Sequence, residues 1–434
     1  MKRKVMQNLI KWKGKTNRKP LIIQGARQVG KTWILKRFGK DHFTKTAYIN
    51  FDNNPRMEQV FKGDFNINRL LDAFQIETGV AVDSNTLLVL DEIQETPKAI
   101  HALKYFHEER PDLPIAAAGS LLGVAHHSGI SFPVGKVELL DMHPMSFTEF
   151  LQAKKETDLL ALLEQGDFGI IKVFRDRYAN LLGQYYYVGG MPEAVAIFTE
   201  TGSYADVRSY QKDLLKLYEQ DFSKHIASNT AERARLVWRN ILSQLAKENS
   251  KFIYGHMKPG ARSKDYEEAI QWLVDCGLVI KVQRISSPGI PLAAYQDISA
   301  FKLFIHDVGL LAAMGDVDIK VILEGDRIYR EFKGSLTEQY ILTQLIGNLG
   351  LNPFYYSAPK SDGEIDFVIQ HKGDVIPIEV KSAENLRSKS LKAFTEKFGL
   401  RQAIRFSLAD YRQESWMTNI PLYAVASLPK VLTP

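Results

Sequence analysis

Hydrophobic positions change period along the chain and divide it into segments of different character. Leu21-Ile22-Ile23 is a short apolar run, and after the loop "GARQVGKT" the apolar residues Trp33, Ile34, Leu35 and Phe38 return at helical spacing. "TLLVLD" from Thr86 and "PIAAAGS" ending at Ser120 are continuous apolar runs, the pattern of strands buried on both faces. Strand, helix and strand in alternation predict an α/β layer built on a parallel sheet. Beyond residue 150 apolar residues recur every three or four positions, which predicts helices, with Gly189-Gly190 and Met191-Pro192 as punctuation. Residues 235–250 read as a helix. Residues 263–276 read as a second one, with Ser263 at its N-cap, Glu267 near its first turn and Gly277 at its end, followed by the alternating strand "LVIKVQRI". Near the C-terminus, residues 365–370 and 375–381 read as two strands joined by the turn "HKGD".

The loop after the first strand carries chemistry. Gly25, Gly30, Lys31 and Thr32 fit the spacing G-x-x-x-x-G-K-[ST] of a phosphate-binding loop. Glycines let the backbone wrap so that the N–H groups of Gly25, Ala26, Arg27, Gln28, Val29, Gly30, Lys31, Thr32 and Trp33 line a phosphate cradle. A helix starting at Lys31 adds the positive end of its dipole. Lys31 is expected on the β- and γ-phosphates of ATP, and the Thr32 hydroxyl on Mg²⁺.

"TLLVLDEIQ" supplies the complement. Asp91, at the carboxyl end of a buried strand, is expected to hold the Mg²⁺ shell opposite Thr32, and Glu92 to act as general base on the attacking water. Ser120, ending the next strand, is placed to sense the γ-phosphate.

Composition limits the alternatives. With 434 residues, 45% hydrophobic and 24% charged, the chain has room for several domains with ordinary globular cores. Cys276 is the sole cysteine, so no intramolecular disulfide forms, as suits a cytoplasmic protein. The basic start lacks an apolar signal-peptide region, and no run is long and apolar enough for a membrane span. A net charge of +6 favours an anionic partner, nucleic acid first.

Taken in order, "GARQVGKT", "LLVLDEIQ", "AAAGSLLG", "HPMSFTEFL", "YVGGMPEAV" and "FKLFIHDVGLLAAM" resemble the prokaryotic AAA-type P-loop ATPases that carry a C-terminal DUF4143 segment. The resemblance spans nearly the whole chain and implies an AAA+-like ATPase core followed by a helical lid. In that family an arginine usually follows the glycine matched here by Gly135. This chain has Lys136, which cannot make the bidentate fork of an arginine finger, so no such finger is assigned. A homo-oligomer is compatible with the resemblance. Tyr185–Tyr187 is read as packing rather than as a base-stacking platform.

Two further modules are expected. The helix, helix and strand pair over 236–318, the strands joined by "SSPG", follow winged-helix order, with Arg262 and Lys264 at the N-terminal end of the second helix, where DNA contacts would be made. The same pattern serves protein–protein contacts, and Glu267 with Glu268 would repel phosphates. In the last segment, pairing Gln370 with Val375 across the turn sets Asp366 opposite Glu379, and two facing carboxylates call for a cation. Mg²⁺ suits them, with Lys381 on the same face and Glu338 as a third acid. This resembles the PD-(D/E)xK nuclease core, with Asp366, Glu379 and Lys381 in its signature positions.

The expected organisation is α/β: a P-loop parallel-sheet AAA+-like core over 1–152, a helical lid over 153–235, a winged-helix domain over 236–318, and a restriction-endonuclease-like α/β domain over 319–434. Two functions compete. One is an ATPase acting on DNA; the other is an ATP-gated switch for a protein partner, with an inactive nuclease-like domain.

Overall fold

The computed structural model describes residues 2–120, 132–246, 251–324, 330–358, 363–384 and 388–432, without the side chains at 225, 324, 330 and 331. It divides into two compact units, Met1–His143 with Trp272–Leu278, and Pro144–Gln271 with Val279–Pro434.

In the first unit the apolar runs become the strands β1 (Leu21–Gln24), β2 (Lys45–Asn50), β3 (Thr86–Asp91), β4 (Ile115–Gly119) and β5 (Glu138–Asp141). All pair in parallel, in the order β2-β3-β4-β1-β5. β3 and β4 are buried at every position, which is why they read as unbroken apolar runs, whereas edge strand β5 alternates half-buried and exposed residues. Phe51, Phe61, Phe74 and Phe106 pack ring to ring in the core cluster of this unit. Asn54 and Asn66 cap helices Pro55–Val60 and Ile67–Thr78 through their side chains. Because the strands are parallel, the carboxyl ends of β1, β3 and β4 lie along one edge, where open α/β sheets bind ligands. β4 stands between the other two.

The second unit opens with helices, as the spacing of apolar residues predicts. Ser146 and Glu149 form a reciprocal capping box at Phe147–Ala153. Tyr185, Tyr186 and Tyr187 are all buried, and the Tyr185 hydroxyl donates to the Met145 carbonyl at 2.5 Å, so the tyrosine run is packing. Gly190 is required by close approach: a Cβ there would lie 2.1 Å from the Met145 carbonyl oxygen.

This unit also contains an eight-stranded sheet, and here the expected modules need correction. β6 (Val279–Ile285) and β7 (Gln296–Ile305) form the anticipated hairpin, but residues 286–295 separate them, not the four-residue "SSPG" turn. Nor is the hairpin a free wing. β6 pairs in parallel with β8 (Phe354–Ser357), giving the order β12-β13-β11-β10-β9-β8-β6-β7. The remaining strands are β9 (Glu364–His371), β10 (Asp374–Val380), β11 (Ala403–Ser407), β12 (Arg412–Gln413) and β13 (Met417–Pro421). An exposed β6 edge would leave its N–H and C=O groups unpaired, and β8 pairs with its C-terminal end at Arg284 and Ile285. The boundary expected at 318/319 therefore divides one continuous sheet. Helix Arg330–Gly347, β8, β9, β10, helix Lys389–Lys397 and β11 follow one another as αβββαβ.

Candidate functional site

The loop after β1 folds as a tight cradle. Gly25 has φ +144°, and a Cβ on it would lie 2.2 Å from the Met142 carbonyl oxygen. Gln28 and Gly30 also have positive φ, and Gly30 sits at the N-cap of helix Lys31–His42. Ala26 and Val29 are buried, Thr32 is half-buried and Trp33 is 45% exposed. Lys31 is buried and folds back over the loop, donating to the Gly25 carbonyl at 2.9 Å and the Ala26 carbonyl at 2.8 Å. Burial pushes its pKa down to about 8, against the opposing pull of Glu92 and Asp91. Those two carboxylates are therefore within electrostatic reach of Lys31.

Asp91 is 2% exposed at the end of β3. Its Oδ2 accepts the Tyr48 hydroxyl at 2.7 Å, and its Oδ1 accepts the Glu92 N–H at 3.1 Å. Glu92 has φ +49°, uncommon for a non-glycine residue, and its Oε2 accepts Gln94 Nε2 at 2.7 Å. Ser120 is buried directly after β4, between the strands that carry the loop and Asp91. Lys136 is ion-paired with Glu108 at 2.8 Å.

Several contributors escaped the sequence reading. Arg3 donates to the Val29 carbonyl at 2.9 Å and the His143 carbonyl at 2.6 Å, tying the cradle to the N-terminal segment. Gly277 lies against the cradle as well, since a Cβ there would come 3.0 Å from the Ala26 nitrogen. Tyr48 and Gln94 belong to the same group. Only Gln94 stood inside a recognisable motif.

The acids of the last segment occupy β9 and β10. Val375 pairs with Gln370 as predicted, and the ladder continues to Ile378 opposite Phe367. The next pair is different: Asp366 Oδ2 accepts the Val380 N–H at 2.7 Å. Glu379 Oε1 is 3.0 Å from Lys381 Nζ. Glu338 does not join Asp366 and Glu379 as a third metal-holding acid: no group of three or more His, Cys, Asp or Glu side chains arranged to hold a metal occurs among the described residues. Positive charge comes instead from Lys302 on β7, which pairs with Glu364 and lies 3.7 Å from Glu338 Oε2. Lys302 is the lone charge in the apolar run "AFKLFI", the signal that marks it in the sequence. Arg262 and Lys264 are exposed at the start of helix Ser263–Asp275.

An AAA domain family matches residues 17–151, and the DUF4143 family matches residues 333–425. The chain therefore carries an AAA domain and, toward its C-terminus, a DUF4143 segment. A further domain of unknown function, DUF8612, matches residues 179–320 between the AAA domain and the DUF4143 segment. Uncharacterised proteins of Mycobacterium bovis and Mycobacterium tuberculosis are each 23% identical over 369 residues, covering 83% of this chain and 70% of theirs. Among solved structures, a Walker-type ATPase of Pyrococcus abyssi aligns over 72% of this chain and 95% of its own at 13% identity, with a TM-score of 0.45. No helix among the described residues is long and apolar enough to cross a membrane.

Proposed function

We propose that the AAA domain binds ATP with Mg²⁺ and hydrolyses it, and that nucleotide turnover serves DNA binding through the second unit. One observation carries the ATPase reading. The cradle after β1, Asp91-Glu92 after β3 and Ser120 after β4 meet on one edge of one parallel sheet. The donor set fits the absent nucleotide. The cradle closes too tightly at Gly25 for a side chain, and Lys31 is a buried ammonium bonded to two loop carbonyls that phosphate oxygens would replace. Thr32 and Asp91 would hold Mg²⁺, which polarises the γ-phosphate when bound. Glu92 takes the proton of the attacking water, and Ser120 donates to the γ-phosphate. Tyr48 and the Glu92 N–H hold Asp91 in one orientation.

DNA contact is supported by the exposed Arg262 and Lys264 and by the net charge of +6. The αβββαβ order supports a nuclease-like ancestry for the C-terminal segment. A cytoplasmic location and assembly with further copies belong to the same reading. The test is ATP turnover with and without single-stranded, duplex and branched DNA, together with a nicking assay. Turnover should rise with DNA, and the double variant Arg262→Ala/Lys264→Ala should lose the rise. Turnover indifferent to every DNA would favour the second reading, an ATP-gated switch for a protein partner. The observation behind that alternative is the internal neutralisation of the C-terminal acids by Lys302.

A further inference from the structure

Four carboxylates lie within electrostatic reach of Lys302 or Lys381: Glu338 from helix Arg330–Gly347, Glu364 and Asp366 from β9, and Glu379 from β10. So much negative charge in a poorly hydrated place must be compensated or the fold is lost. In a nuclease-like centre the compensating charge would be a divalent metal. We infer that this centre is instead neutralised by the chain's own cations, Lys302 foremost, and takes no divalent metal, an inference that rests on the nuclease-like reading of the segment.

Lys302 is fully buried, although it arises from β7, on the far side of β6 and β8 from the strand it serves. Its ammonium pairs with Glu364, lies 3.7 Å from Glu338 Oε2 and sits 5.1 Å from the Tyr355 ring centroid. Burial alone would lower its pKa, but Glu338, Glu364 and Asp366 together outweigh burial and hold it above the usual lysine range. Lys381 stands 3.0 Å from Glu379 Oε1, and Arg405 is directly opposite Glu379 in the β10–β11 register. Glu379 Oε2 makes no hydrogen bond, and the field of the buried Arg405 guanidinium compensates it. Among the described residues, Lys302, Lys381 and Arg405 thus face these carboxylates.

A divalent ion bound by Glu338 or Glu364 would meet the buried ammonium that already pairs with these carboxylates, and the two like charges would repel. The hairpin that looked like a wing therefore has a different task. It carries the resident cation into the acidic centre.

The experiment is thermal melting of the full chain in the Lys31→Ala background, without nucleotide, with and without Mg²⁺ or Mn²⁺. That background removes the nucleotide site as a source of metal response, and ATP turnover of the protein retaining Lys31 is a separate readout, so failure of the ATPase reading leaves this comparison intact. With Lys302 present, metal should produce no rise in melting temperature that depends on Asp366. Lys302→Met should lower the melting temperature and create a metal-dependent rise of several degrees, which adding Asp366→Asn removes. A rise with Lys302 present that Asp366→Asn leaves unchanged originates elsewhere and agrees with the inference. A rise with Lys302 present that Asp366→Asn abolishes overturns it, as does a folded Lys302→Met protein indifferent to metal. Where Lys302→Met does not fold, the proteins retaining Lys302, with and without Asp366→Asn, decide the matter.

Discussion

The Tyr48 hydroxyl donates to Asp91 Oδ2 at 2.7 Å, from β2 to the end of β3. The strands run parallel with Tyr48 beside Val89, so the phenol reaches along the strand direction to the carboxylate beyond it. With the Glu92 N–H on the other oxygen, both oxygens of Asp91 are fixed. A carboxylate held in this way presents its remaining lone pairs in one direction, which a metal shell requires.

Tyr48→Phe keeps the ring and removes only that hydrogen bond. Outer-shell partners of this kind affect metal affinity by about 10- to 100-fold. The apparent Mg²⁺ affinity in an ATPase titration should therefore fall by about tenfold or more, with the melting temperature nearly unchanged. An unaltered Mg²⁺ titration would assign Tyr48 to packing.

Lys31→Ala should abolish measurable nucleotide binding while the fold survives. Lys31 bonds carbonyls of its own loop, so its loss removes a phosphate ligand without unpinning another element. Calorimetry with ATP should register no binding, and circular dichroism should be unchanged. Tight ATP binding by the folded variant would remove Lys31 from the site.

Glu92→Gln should leave ATP bound and slow hydrolysis by about 100-fold or more, the worth of a positioned base. Asp91→Asn should instead weaken the Mg²⁺-dependent part of binding. The Gln94 amide already holds Glu92 Oε2, and it can hold the glutamine variant through the same carbonyl oxygen, so the substitution tests chemistry more than geometry. Equal turnover of wild type and Glu92→Gln would place the base elsewhere.

The ATP-facing edge was legible because its information is local. Gly25, Gly30, Lys31 and Thr32 lie within eight consecutive positions, and Asp91 follows an unbroken apolar run. The β9–β10 register was equally legible, since a short turn fixes which residues face each other. Illegible were the partners brought in from a distance. Arg3 reaches Val29, Tyr48 reaches Asp91, and Lys302 reaches Glu364, each across a sequence gap that no periodicity encodes. The hairpin misled for a related reason. Alternation along "LVIKVQRI" reveals a strand, but nothing in it says that its neighbour is β8, some 70 residues later.

The buried Asp307 gives the second unit a pH dependence. Its carboxylate accepts the Gly190 N–H at 2.6 Å and the Leu310 N–H at 2.9 Å, joining the Gly189-Gly190 turn to helix Val308–Met314. Burial pushes its pKa up to about 6, against the opposing effect of these backbone donors. In the unfolded chain the same carboxyl loses its proton near pH 4. Between those values the native state binds the extra proton, so the stability this group contributes is complete below about pH 4 and declines as pH rises to about 6. A shift of this size corresponds to about 3 kcal/mol at most. Asp307→Asn removes the titration and sets an amide NH₂ against a backbone N–H donor, so the variant should be less stable at every pH. The informative quantity is the difference in melting temperature between wild type and variant. It should be largest near pH 4 and shrink by several degrees toward pH 7, because only the wild type loses its proton over that range. A difference constant across the range would mean that Asp307 stays ionised in the fold, held so by its backbone donors.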